Sequence, residues 1–203
     1  MPARRLVLAS TSRYRRELLE RLRLPFDVVA PGVDEKPLDG EAPAETAIRL
    51  ALAKADAIAS ADAEAVVIGS DQVADLDGRG LGKPGDHARA TAQLAAMRGR
   101  TVVFQTAVAV VCGAIGFRVT ELVPVAVRFR NLSDAEIERY LRAETPYDCA
   151  GSAKIETLGI ALLESCESDD PTALIGLPLI RTCALLRRAG LDPLAAAALD
   201  LRP

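Results

Sequence analysis

The chain has 203 residues, of which 50% are hydrophobic but only 3% aromatic, with no Trp; its core must be built from Ala, Val, Leu and Ile, which suits α/β layering in one unit over residues 1–203. A formal net charge of −3 gives no bulk attraction to a polyanion, which argues against a nucleic-acid polymer as partner and leaves any phosphate affinity to local groups. The N-terminus lacks the long apolar stretch of a signal peptide and no run approaches the roughly 20 apolar residues of a membrane span, so the expectation is a cytoplasmic, reduced protein with no membrane partner.

In chain order, Leu6-Val7-Leu8-Ala9 predicts a short buried strand, and Ser10-Thr11-Ser12 supplies hydroxyls to cap a helix with Leu18, Leu19 and Leu22 on one face. Phe26 to Ala30 predicts a second strand, followed by a loop between Pro31-Gly32 and Pro37 that holds Asp34 and Glu35. Pro43 to about Ala63 is Ala-rich with helical spacing through Ala47, Leu50, Ala51 and Lys54. Ala65 to Gly69 predicts a strand ending at Ser70-Asp71-Gln72, and Asp77-Gly78 marks a turn before Gly80, Gly82 and Lys83-Pro84. A helix is expected over His87–Met97. Thr101–Val111 and Phe117–Arg130 predict a long antiparallel hairpin around Gly113–Gly116. Ser133 opens a helix through Tyr140; beyond it come a Gly-rich segment from Cys149 to Gly159, a short strand over Ile160–Glu164, a helix after Pro178 and an Ala-rich tail after Pro193 that is expected to fray. The cysteines, Cys112, Cys149, Cys166 and Cys183, stand at least 17 positions apart, which excludes paired zinc or redox spacings and reads them as small core hydrophobes.

Two of these strands deliver Ser10 and Asp71 at their carboxyl ends, the edge where α/β sheets bind ligands. Arg15 on the first helical turn, Lys83 after the glycine-rich loop and Lys54 on the long helix add cations, and cations with a helix N-terminus suit a polyphosphate. Glu35 and Asp71 are oxygen ligands of the kind that hold a divalent cation while substrate phosphates complete the shell. An Asp of ordinary pKa, about 3.9, is a weak base at neutral pH, so metal activation of water is the natural companion. Each residue alone is ordinary, since a surface ion pair or a cap explains it. Gly78 to Pro84 is not a phosphate-binding P-loop, because Pro84 stands where a hydroxyl is needed. No G-x-G-x-x-G follows a strand, which argues against a dinucleotide, and His87 reads as a solvated surface residue.

Taken together, Leu8-Ala9-Ser10-Thr11-Ser12 with Arg15, Glu17, Leu18 and Leu19 resembles the opening motif of the Maf family. Val33-Asp34-Glu35, Ala53-Lys54-Ala55, Ile68-Gly69-Ser70-Asp71-Gln72, Gly82-Lys83-Pro84, Cys149-Ala150-Gly151-Ser152 and Ile175-Gly176-Leu177-Pro178-Leu179 resemble its further blocks in order, over nearly the whole chain. The resemblance implies an α/β fold with an elongated mixed sheet flanked by helices and two lobes around a central cleft, often paired as a homodimer. It also implies hydrolysis of a nucleoside triphosphate between its α- and β-phosphates with a divalent cation (Mg, Mn or Co). By position it implies Asp71 as proton acceptor, Glu35 as metal or water ligand, and Ser10, Arg15, Lys54 and Lys83 as phosphate-facing groups.

Arg13 stands where the family commonly has Pro, placing an extra cation near the phosphates. Tyr14 replaces the Arg of pyrimidine-preferring members and, with Gln72 and Glu156, resembles members acting on 7-methyl-GTP. Methylation at N7 makes guanine a cation; an aromatic face attracts it by roughly 0.5–2 kcal/mol, and Glu156 can accept from the base's N1–H and N2–H₂ edge. The alternatives are a house-cleaning pyrophosphatase for other modified nucleotides and a nucleotide-binding regulator of septum formation.

Overall fold

A computed structural model describes residues 4–197, and its apolar runs assemble into one seven-stranded sheet of order β2-β1-β3-β5-β6-β7, with β4 paired to β3. Strand β1 (Leu6–Ala9) is buried throughout and lies parallel to both β2 (Asp27–Val29) and β3 (Val66–Leu76). A strand covered on both faces reads as a continuous apolar run rather than an alternating one. The remaining pairs are antiparallel: β3 with β5 (Thr101–Cys112), β5 with β6 (Phe117–Phe129) and β6 with β7 (Leu163–Glu167). The sheet is therefore mixed, as the resemblance implied.

Helix α1 (Arg13–Glu20) starts on Ser12, whose hydroxyl accepts from the Arg15 backbone N–H at 3.4 Å, and buries Leu18 and Leu19. Helix α2 (Pro43–Ala59) has Pro in its first position and returns the Glu45 carboxylate to the Ala42 N–H at 3.0 Å. It ends four residues short of the expected Ala63, where Ser60 caps it and Ala61 and Asp62 turn back on Ile58. Its small face of Ala47, Ala51 and Ala55 brings it close to the sheet. A Cβ added at Gly69 would stand 2.1 Å from the Ala51 carbonyl oxygen, so the helix can pack there only against a glycine.

Strand β3 differs from the sequence expectation. It does not end at Ser70-Asp71-Gln72 but continues to Leu76, because its backbone keeps pairing with β5 from Val67↔Val111 to Asp75↔Val103. Asp71 consequently sits inside a strand rather than at its carboxyl end. The partner on the other edge does stop there: β1 pairs β3 only as far as Ala9↔Gly69, and β4 (Arg79–Leu81) begins at Ala74↔Leu81. Between them the edge of β3 is open at Asp71 and Gln72. Strand β4 was read as loop, since Arg-Gly-Leu has little β propensity; the Asp77-Gly78 turn, with both φ positive, folds it back.

Helix α3 (His87–Met97) is capped by Asp86 and helix α4 (Asp134–Glu144) by a Ser133/Glu136 capping box. The expected strand over 160–164 lies instead at 163–167, because Leu158–Leu162 winds into a 3-10 turn that buries Leu162 and leaves Ile160 exposed. Helix α5 (Leu179–Arg188) follows Pro178, and the Ala-rich tail is helical over α6 (Pro193–Ala197), its remainder lying outside the described residues. No helix among the described residues is long and apolar enough to cross a membrane.

Side-chain alternation along β3 and β5 divides the core. Val67, Ala107 and Ala109 face the alanines of α2, whereas Ile68, Val108 and Val110 face α1 and α5. Farther along, Ala74, Leu76, Val102 and Phe104 join α3, α4 and β6 in a second cluster. Two apolar lobes thus share the long strands, and the open edge of β3 falls between them.

Candidate active site

The buried ammonium of Lys54 organises the open edge. Helix α2 carries it inward to 3% exposure, and its Nζ contacts Asp71 Oδ1 and Glu35 Oε1, each at 2.7 Å. An unpaired buried ammonium would be costly, so two carboxylates satisfying one cation is a physically sound arrangement. The other oxygen of Asp71 has no protein hydrogen bond among the described residues. Partial burial works against ionising Glu35, but the hydrogen bond and charge of Lys54, with Lys83 and Arg15, outweigh it and hold the carboxyl below its ordinary value.

Glu35 lies on the loop joining β2 to α2, and two residues that sequence reasoning missed hold that loop. Glu41 accepts from the Leu38 N–H at 3.0 Å, from Thr46 Oγ1 at 2.8 Å, and from Arg49 Nε and Nη2 at 2.5 and 2.7 Å. Arg49 also donates to the Lys36 carbonyl at 3.0 Å. These hydrogen bonds, led by Arg49, pull the Glu41 carboxyl down to about 2. A loop acid and a helix arginine eight positions apart have no signature spacing, so nothing in the sequence marks the pair.

The wall opposite is built around one carbonyl. Arg15 Nε donates to the Gly176 oxygen at 2.8 Å, and Ser70 Oγ lies 2.8 Å from that oxygen and from the Ala107 carbonyl, one of which takes its proton at a time. Ser10 Oγ accepts from the Ser12 N–H at 3.1 Å. Burial lowers the Arg15 pKa, while Asp71 and Glu35 oppose that; it stays a cation, as arginine does. Lys83 faces the same space and makes no ion pair among the described residues.

Gln72 lines the cleft, yet its amide nitrogen lies 2.9 Å from Thr106 Oγ1 and 3.0 and 3.1 Å from the Ala173 and Leu174 carbonyls. Its amino group therefore anchors the segment before Gly176, and its carbonyl oxygen has no protein hydrogen bond among the described residues.

Tyr14 and Glu156 line the same cleft, with Asp148 and Cys149. Partial desolvation pushes the Glu156 carboxyl above its ordinary value, against Lys154 and Arg13, which pull it down. Cys149 is not the core residue expected. It lines the cleft with Sγ 3.9 Å from Tyr14 Oη, and burial drives its thiol up to about 12, too high for a nucleophile. Cys166 is exposed and only Cys112 is fully buried. His87 is a surface residue as expected, its side chain 42% exposed, but it is also partnered, with Nδ1 3.0 Å from Tyr147 Oη and Nε2 2.8 Å from Glu138, and it does not line the cleft.

All nine residues singled out for the site, Ser10, Tyr14, Arg15, Glu35, Lys54, Asp71, Gln72, Lys83 and Glu156, line one cleft of about 950 Å³, a size that accommodates a nucleotide. No group of three or more His, Cys, Asp or Glu side chains able to hold a metal occurs among the described residues. Glu35 and Asp71 do reach one common point, that of the Lys54 ammonium. Two carboxylates completed by water and substrate phosphates are a donor set that Mg²⁺ accepts.

A family model described as "Maf-like protein" matches residues 5–189. The chain is 65% identical over 193 residues to a 7-methyl-GTP pyrophosphatase of Albidiferax ferrireducens, covering 95% of this chain and 97% of that one. It is 69% identical to a protein of the same description from a Polaromonas species, over 93% and 86% of the two chains. A third, from Cupriavidus metallidurans, is 60% identical over 91% and 93%.

Proposed function

We propose that this chain, which belongs to the Maf family, is a nucleoside triphosphate pyrophosphatase that hydrolyses 7-methyl-GTP to 7-methyl-GMP and pyrophosphate. The observation that supports the reading is the single cleft lined both by the carboxylates of Glu35 and Asp71, paired with Lys54, and by Tyr14 and Glu156. A triphosphate spans such a site with its charge at one end and its base at the other.

In this reading water attacks the α-phosphorus, its proton passes to the free oxygen of Asp71, and the bond from the α-phosphorus to the oxygen bridging to the β-phosphate breaks. Lys54, Lys83 and Arg15 neutralise the charge that develops on the departing pyrophosphate, and Ser10 orients the phosphates with the start of α1. Glu35 and Asp71 would hold a divalent cation, Mg, Mn or Co, which when bound lowers the pKa of water and polarises phosphoryl oxygens. Glu156 accepts from the base edge and complements its charge, and Tyr14 offers an aromatic face; a pyrimidine lacks both the charge and the donor pair.

The test is a panel of 7-methyl-GTP, GTP, dTTP and UTP, with and without chelator, scored for pyrophosphate. Turnover of 7-methyl-GTP well ahead of the others, lost on chelation, is expected. Equal rates would point to a broader house-cleaning role, and nucleotide binding without pyrophosphate to a regulator.

A further inference from the structure

The ring that this reading offers to a cationic base already carries a cation. The Arg13 guanidinium carbon lies 4.7 Å from the centroid of the Tyr14 ring, and its Nη2 donates to Tyr14 Oη at 2.9 Å. This is the contact a positively charged purine would make with the same ring, well inside the roughly 6 Å reach of a cation over an aromatic face. Arg13 is exposed at the first position of α1 and makes no ion pair among the described residues. Tyr14 is therefore its principal partner, the carboxylates of Asp148 and Glu17 acting on it only through space.

We propose that Arg13 is a specificity-determining residue of this cleft, an internal cation that competes with a 7-methylated purine for the face of Tyr14 and so limits the preference for a charged base over a neutral one. The proposal rests on the reading that the base of 7-methyl-GTP binds at Tyr14 and Glu156. A cationic base has two ways to reach the ring. On the face that Arg13 covers, it must displace the guanidinium and forfeit that contact. On the opposite face it stays, with two positive charges flanking one ring and no solvent layer between. Displacing the guanidinium costs a charged and a neutral base alike, but on the opposite face only the charged base meets the repulsion, which a neutral guanine escapes. A cation serving the phosphates instead would act with the same sign on every nucleotide, because all triphosphates carry the same charge there.

The experiment measures KM and kcat of the parental enzyme, Arg13→Ala and Arg13→Lys with 7-methyl-GTP and GTP, together with inhibition constants for 7-methyl-GMP and GMP. Arg13→Ala is expected to lower KM for 7-methyl-GTP and the inhibition constant of 7-methyl-GMP by roughly two- to five-fold, the scale of one exposed cation–π contact, with GTP and GMP moving less. Arg13→Lys, which keeps the charge but loses the guanidinium and its hydrogen bond to Tyr14 Oη, should fall between. A rise in KM for both triphosphates, or an unchanged ratio between them, overturns the proposal. A parental enzyme that prefers 7-methyl-GTP while Arg13→Ala leaves the ratio alone sinks this inference only. A parental enzyme with no such preference sinks the reading beneath it as well.

Discussion

The two ends of the cleft are built from different material. At the phosphate end Asp71 comes from inside a seven-stranded sheet, Lys54 from a helix packed on it, and Arg15 from a capped helix tied to Gly176. At the base end Tyr14 shares its ring with an exposed neighbour and Glu156 lies on an irregular, exposed segment. In the proposed reading the contrast separates two demands: Asp71 and Lys54, assigned to the reacting atoms, are held by backbone pairing and buried ion pairs, whereas Tyr14 and Glu156, assigned to the base, sit where a substitution disturbs little packing.

The most severe test of the phosphate end is Asp71→Asn. It keeps the shape of the side chain assigned as proton acceptor, so pyrophosphate release should fall by roughly 10²–10⁴-fold while the fold persists at a lower melting temperature, because the buried Lys54 ammonium loses one of its two carboxylates; parental turnover would show that Asp71 carries no chemistry. Gly69→Ala attacks the same end through its packing. The new Cβ would meet the Ala51 carbonyl oxygen at 2.1 Å and the Ala55 nitrogen at 2.7 Å, both backbone. Helix α2 must move and take Lys54 with it, and a loss of about 3 kcal/mol is expected by chemical denaturation, together with lost turnover.

At the base end the effects should be milder and confined to selectivity. Glu156→Gln exchanges a charge-assisted pair for a neutral one, which narrows the advantage of 7-methyl-GTP over GTP by about ten-fold, with kcat for GTP little altered. Because the Glu156 carboxyl lies above its ordinary 4.5, protonation removes the acceptor early. The advantage should therefore shrink on acidification before the pH reaches 4.5, and a ratio flat across that range would argue that Glu156 does not touch the base.

The smallest effect concerns the loop beneath Glu35. Glu41 titrates near 2 in the folded chain against an ordinary 4.5, so its contribution to stability is present above pH 4.5 and is lost as pH falls through 2. Glu41→Gln should flatten that part of the acid-unfolding curve and leave the neutral range less affected, as followed by circular dichroism.

Much of this arrangement was legible in advance wherever local pattern and final structure coincide. The wholly apolar β1, the alanine face of α2 and the long hairpin of β5 and β6 each follow from periodicity. Strand β3 was truncated in the reading because Ser70-Asp71-Gln72 breaks its apolar run, whereas the backbone, indifferent to side-chain polarity, goes on pairing with β5. Strand β4 is hidden for a different reason: Arg79-Gly80-Leu81 has little β propensity and is held by its pairing with β3. Of the nine cleft-lining residues, Ser10, Arg15, Glu35, Lys54, Asp71 and Lys83 follow from strand ends, cations and acids, and Tyr14, Gln72 and Glu156 from motif resemblance, yet none of their bonds does. Gln72 reaching Ala173 and Ser70 reaching Gly176 join positions more than a hundred residues apart, and such contacts leave no trace in spacing. The stacking of Arg13 on Tyr14 is local, but two adjacent residues allow many rotamers and only packing selects one.

The Gly176 oxygen has a consequence for how the protein is made. Every acid and cation of the phosphate end lies before residue 84, yet the carbonyl that fastens Arg15 and lies beside Ser70 is contributed by residue 176. During synthesis on the ribosome, the early segment must wait for roughly the second half of the chain to emerge before its arginine has a place to rest.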